Sequence, residues 1–137
     1  MSANPPNFQE QIKARFSEGL AAHFNDGYDD WLKWCDVLYE PNAHYNVYGK
    51  RMTLQEYKSA MKALMTKYDI QIGEVKNMLV VGEWGAIRYV VHITDRATGA
   101  KIEQNTMEFV QWKENPELIG ARVVEGWALS DSPLSET

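Results

Sequence analysis

Apolar residues recur every four positions at Phe8, Ile12, Phe16, Leu20 and Phe24, which predicts a buried stripe along one helix. Asn7, with Glu10 three residues on, reads as its start, and Asn25-Asp26-Gly27 as its end, with Gly27 a natural C-cap. Asp29 or Asp30 is placed to cap a second helix, whose Trp31, Trp34, Cys35 and Leu38 share one face. Pro41 stops it. His44 to Tyr48 then reads as a short strand closed by a Gly49-Lys50-Arg51 turn. Thr53 and Glu56 form a capping box for a third helix, with Leu54, Tyr57, Met61, Leu64 and Tyr68 as its stripe.

From Ile70 the period changes to two. Strands are predicted at about 70–81, 86–95, 101–113 and 118–130, separated by GEWG, RATGA and ENPEL. Long strands joined by short loops read as an antiparallel meander, and the segregation of helices from strands indicates an α+β domain. Residues 1–6 and 132–137 read as loose tails. The 86–95 strand, AIRYVVHITD, poses a choice of faces. Its odd positions, Ile87, Tyr89, Val91 and Ile93, are uniformly apolar, whereas its even positions mix Arg88 and His92 with Ala86, Val90 and Thr94.

Composition narrows the function classes. The 137 residues suit one domain with a real core, and 45% hydrophobic against 24% charged content is that of an ordinary globular protein. A net charge of −5, with basic residues scattered, argues against a nucleic-acid partner. The longest apolar runs are far short of the roughly 20 residues a membrane span needs. No signal-peptide pattern opens the chain, so a cytoplasmic protein is expected. The single Cys35 beside Trp34 and Leu38 reads as a buried, inert thiol. Three separated histidines and scattered acids make no metal-ligand set, and no nucleotide-binding glycine motif is present, so no cofactor is expected.

The element order, together with "FNDGYDDWLKWCDVLYEPNAHYNVYGKRMTLQEYKSAM", "GAIRYVV", "NTMEFVQW" and "ARVVEGWALSD", resembles the nuclear transport factor 2-like superfamily. Within it the chain is most similar to the SnoaL-like polyketide cyclase and ketosteroid isomerase branch, over about residues 8 to 131. The resemblance implies one cone-shaped domain, in which three N-terminal helices pack on a strongly curved antiparallel sheet around a deep cavity. It also implies a homodimer formed through the convex sheet face, which on this assignment carries the odd positions of the 86–95 strand with Met107 and Phe109. It places the even face of the 86–95 strand inward, so that Arg88, Val90 and His92 line the cone. The alternative is that Arg88 pairs with a surface acid such as Glu103.

Several acids used by relatives are replaced here. The isomerase-type base position matches Val47, the acid of the closing strand matches Ala128, and a further hydrolase acid matches Val90. None of the three replacements can carry a proton. Glu108, before Phe109-Val110-Gln111-Trp112, matches the acid that isomerases hold in the apolar cone, where burial favours a protonated carboxyl able to donate to an oxyanion. If residues 96–100 form a five-residue loop, Arg88 faces Glu108 directly and the two pair instead. Tyr45 matches a tyrosine of related hydrolases, and a phenol there can polarise a carbonyl. His92 is the natural proton shuttle, with Asp26 as its candidate partner, although Asp26 also fits a plain helix-ending turn.

Two functions follow. One is a cofactor-independent isomerase, cyclase or lyase acting on an apolar, oxygenated small molecule. His92 would be the base, Glu108 and Tyr45 would stabilise an enolate, and Trp31, Trp34 and Trp112 would wall the cavity. The other is a binding or scaffold module without turnover. Convergence of His92, Glu108 and Tyr45 discriminates them, and His92 or Glu108 on the convex face leaves the binding module.

Overall fold

The computed structural model describes residues 10, 14, 22–113, 122–131 and 134. Helical residues 22–25 lead into α1 (Tyr28–Leu38), β1 (Tyr39–Val47), β2 (Lys50–Thr53), α2 (Leu54–Lys67), β3 (Tyr68–Val81), β4 (Trp84–Asp95), β5 (Lys101–Lys113) and β6 (Arg122–Ser130). The domain is α+β, as the change of period requires. The expected start of the first helix, with Phe8, Ile12, Phe16 and Leu20, lies outside the described residues.

Helix boundaries follow local chemistry. Helix α2 starts on the expected capping box: the Thr53 side chain accepts from the Glu56 amide, and the Glu56 side chain accepts from that of Thr53. Helix α1 buries Trp31, Trp34, Cys35 and Leu38, but Gly27 is its N-cap and no side chain caps it. Asp29 and Asp30 sit instead in its first turn, where they complement the helix dipole. Asn25 has a role beyond ending a helix. Its amide oxygen accepts from the Ile72 amide at 2.7 Å, which ties this turn to β3.

The six strands form one sheet in the order β2-β1-β6-β5-β4-β3. It is mixed rather than wholly antiparallel, because β6 enters between β5 and β1 and runs parallel to β1. Alternation along a strand specifies its faces and not its neighbours, so this pairing is invisible to periodicity. β1 also begins earlier than expected, at Tyr39. Its ladder is broken between Tyr39 and His44, and Pro41, which lacks an N–H, lies in that gap. The following turn is Tyr48-Gly49, both with positive φ (49° and 82°), as a two-residue hairpin between Val47 and Lys50 needs.

The faces of β4 are the reverse of those the resemblance implied. Ile87, Tyr89, Val91 and Ile93 are buried under the helices, while Arg88 and His92 are exposed on the opposite side. The uniformly apolar odd positions fill the core, and the β4–β5 hairpin sets which residues of β5 stand beside them. The Asp95 amide donates to the Ala100 carbonyl at 2.8 Å, so Asp95 meets Ala100 rather than Lys101 and 96–99 are left to turn. The Asp95 carboxylate holds that turn by accepting from the amides of Ala97 and Thr98. A one-residue change in register exchanges every cross-strand partner.

Candidate functional site

Two rows of inward residues cross the whole sheet. One runs Lys50–Val47–Ala128–Glu108–Ile87–Met78, and the other runs Met52–Tyr45–Gly126–Val110–Gly85–Val80. Gly126 separates Tyr45 from β5 and leaves room for its ring; a Cβ there would lie 2.8 Å from a Tyr45 ring carbon. Tyr45 therefore leans across β6, and its hydroxyl donates to the Glu108 carboxylate one strand beyond. The Tyr57 ring stacks on Tyr45 at a centroid distance of 4.0 Å and fixes that tilt.

Around this contact lies a cavity of about 280 Å³ between α2 and the sheet. Tyr45, Val47, Met52, Tyr57, Met61, Leu64, Ile70, Ile72, Tyr89, Val91, Ile93 and Ala128 supply most of its wall. Gln104, Thr106, Glu108 and Ser130 bring polar groups, and exposed Lys50 and Tyr48 stand on its rim. Leu134, in the segment read as a loose tail, also packs on the core and lines this cavity.

Burial pushes the Glu108 carboxyl up from the usual carboxylate range, and hydrogen bonds with Tyr45 and Tyr89 offset only part of that rise. Its contacts are phenols, and no cation pairs with it among the described contacts. Burial, with Glu108 nearby, likewise holds Tyr45, Tyr57 and Tyr89 well above the ordinary phenol range. Tyr57 is hydrogen-bonded with Tyr45 and Tyr39, which extends the network behind the cavity wall. The arrangement presents one carboxyl and the phenols beside it to an otherwise largely apolar cavity, polar groups that suit an oxygen on a bound molecule.

Of the residues singled out in the sequence, Tyr45 and Glu108 come together, and Val47 and Ala128 line the same cavity. The others do not join them. Arg88 donates to the Asn77 side chain at 2.8 Å on the outer face and makes no pair with Glu108. His92 lies over Gly73 on that face, where a Cβ would meet its Nε2 at 2.8 Å. Val90 faces outward opposite Asn105, and Asp26 is exposed in its turn. None of the three tryptophans walls the cavity around Glu108. Trp31 and Trp34 border a separate hollow of about 20 Å³, and Trp112 covers Gly85 and donates to the Gly82 carbonyl. Sequence reasoning missed Tyr57, Tyr89, Gln104, Thr106 and Ser130. The resemblance placed Glu108 inward, and alternation along the strand then carries Thr106 and Gln104 to the same face, which was the available signal.

No family model and no curated protein matches the sequence. Solved structures do match. IdmH from Streptomyces antibioticus, a candidate polyketide cyclase, aligns over 86% of this chain and 91% of its own at 18% identity, with a TM-score of 0.68. A candidate SnoaL-like polyketide cyclase from Jannaschia sp. covers 96% and 92% at 14% identity and a TM-score of 0.67. The chain has the SnoaL-like polyketide cyclase fold, of the nuclear transport factor 2-like type. PrhC from Penicillium brasilianum has it too, at 13% identity, covering 90% of this chain and 82% of its own with a TM-score of 0.70. At such identities the SnoaL-like fold locates a cavity and assigns no reaction. Among the described residues, no group of three His, Cys, Asp or Glu is placed to hold a metal ion, and no helix is long and apolar enough to cross a membrane.

Proposed function

We propose that this protein is a small-molecule-binding module whose cavity takes an apolar, oxygenated ligand and seats one of its oxygens against Glu108 and Tyr45. The carrying observation is the Tyr45–Glu108 hydrogen bond in the wall of an otherwise largely apolar cavity. Burial raises the Glu108 carboxyl and so favours its protonated form, which donates to a ligand carbonyl without a charged partner. Outward His92 removes the base on which proton abstraction was built.

A second reading keeps turnover and rests on Glu108 alone, the only carboxyl among the described residues lining the cavity. In it the carboxylate takes a proton alpha to a carbonyl, Tyr45 donates to the enolate oxygen, and Glu108 returns the proton elsewhere on the carbon frame. One experiment separates the two. β-Tetralone in deuterated buffer is followed by NMR with wild type, Glu108→Gln and Tyr45→Phe. Saturation transfer that weakens in Tyr45→Phe, with deuterium entering no faster than in buffer, supports the binding module. Exchange accelerated by wild type and abolished in Glu108→Gln supports turnover. No transfer to wild type overturns both.

The assembly we propose is a homodimer through the outer sheet face. Leu79, Val81, Trp84, Met107, Phe109, Trp127 and Leu129 are large apolar residues left exposed on four adjacent strands, and the rings of Trp84, Phe109 and Trp127 cluster with centroids 5.3 to 6.2 Å apart. An apolar patch of this extent favours a partner, and the simplest one is a second copy of the chain.

A further inference from the structure

Ser130, the last residue of β6, is gripped from both sides. The Tyr48 hydroxyl donates to its carbonyl and accepts from its amide, both at 2.7 Å, and Thr106 Oγ1 lies 2.8 Å from its Oγ. Tyr48 holds this position with φ at 49°, an uncommon conformation for a residue other than glycine. Asp131, just past the β5–β6 ladder, is tied to Asn105 of β5 through both backbone and side chain. Its amide donates to the Asn105 carbonyl at 3.1 Å, and its carboxylate accepts from the Asn105 side chain at 3.0 Å and amide at 2.9 Å. Those bonds, the side-chain one first, hold the Asp131 carboxyl below the usual carboxylate range. Leu134 follows three residues later, within about 10 Å of Asp131 by the reach of an extended chain. It is half-buried against the core and forms part of the wall of the cavity that contains Glu108.

Leu134 belongs to the open side of that cavity. Tyr48, Lys50, Met61 and Leu64 also line it and are exposed or half-buried, which sets the mouth between α2 and the β1–β2 turn. Most of the remaining wall is built into the sheet and cannot move without breaking its ladders. Leu134 lies outside the ladders, and the bonds from Tyr48 and Asn105 that aim it are exposed to water. Releasing them is a local opening that leaves all six strands paired, so this is the part of the wall with the lowest stability. We propose that Leu134 is the gate of the cavity, and that Tyr48, Asn105 and Asp131 are the latch that positions it. Latched, Leu134 closes the wall over a bound molecule; released, it uncovers the mouth. The proposal rests on the small-molecule reading of the cavity and adds the route by which a ligand enters and leaves.

The test labels Leu134→Cys with Ellman's reagent, with peptide masses assigning the label to residue 134 or to buried Cys35. Leu134→Cys is expected to react at least about tenfold more slowly in the native protein than in urea. Adding Asp131→Ala should raise the native rate about tenfold or more, the value of hydrogen bonds to a charged group. Tyr48→Phe should raise it as well. Both positions are exposed, so the fold tolerates these changes, and thermal melts verify that it does. NMR line shapes with β-tetralone then give association and dissociation rates for wild type and Asp131→Ala. A gate acts on entry and exit alike, so both rates should rise together while the affinity changes less than either. Native labelling as fast as in urea, or a native rate unmoved by both Asp131→Ala and Tyr48→Phe, overturns the gate. A change confined to dissociation does the same, because it marks a fixed wall. Labelling as expected with no binding of β-tetralone to wild type removes the small-molecule reading and supports the latch on its own.

Discussion

Ile87, not Arg88, stands opposite Glu108 across β4 and β5. The acid therefore has an aliphatic neighbour in the place where a guanidinium would have kept it ionised. Its hydrogen-bond partners are instead Tyr45 and Tyr89, and burial governs its titration.

That titration has a direction that stability measurements can read. The folded state holds the Glu108 proton more tightly than the unfolded chain, whose carboxyl titrates near about 4.3. Its contribution is fully present below that value and is lost as pH rises through the raised folded value. Glu108→Gln removes this dependence, so urea midpoints of the variant should gain on wild type as pH climbs across the window. Parallel pH profiles for the two proteins would show that the carboxyl is not held protonated.

Gly126→Ala tests the support of Tyr45. The added carbon meets ring atoms at 2.8 and 2.9 Å, and Tyr57 stacked on the ring blocks retreat. A loss of about 1–3 kcal/mol in chemical denaturation is expected, typical of overpacking. Binding of β-tetralone should fall as well, because the Tyr45 hydroxyl is moved off Glu108. An unchanged midpoint would mean that the ring has room to shift.

The outer face makes a prediction about mass. Wild type should sediment as a dimer at micromolar concentration, and Phe109→Asp, a charge placed between Trp84 and Trp127, should sediment as a monomer. A monomeric wild type would remove the proposed interface.

Cys35 should be silent. It is fully buried, and burial pushes its thiol up to about 12, so the nucleophilic thiolate is scarce at neutral pH. Ellman's reagent is expected to react only after denaturant is added. Rapid labelling of the native protein would contradict the packing of α1.

Much of the fold was legible because local rules wrote it. Thr53 and Glu56 fixed the start of α2, and the spacing of Trp31, Trp34, Cys35 and Leu38 fixed the buried face of α1. The site was legible only where the resemblance matched single residues, as for Glu108 and Tyr45. Arg88 and His92 were misplaced because the resemblance set the even face of the strand inward, whereas its uniformly apolar odd face fills the core; the Asp95–Ala100 pairing then puts Ile87, not Arg88, opposite Glu108. Tyr45 reaches Glu108 only because Gly126 lies between them, a relation among three strands that no single stretch of sequence displays.

The position of β6 also governs how the molecule can be assembled. Before β6 docks, β1 and β2 form one hairpin and β3, β4 and β5 a separate meander, with Tyr45 on the first piece and Glu108 on the second. The last described strand is the keystone, and its parallel pairing with the first joins residues about eighty positions apart. Contacts of such separation slow folding, because a long loop must close before they contribute. A nascent chain halted before residue 122 would carry both halves of the cavity wall without the strand that joins them.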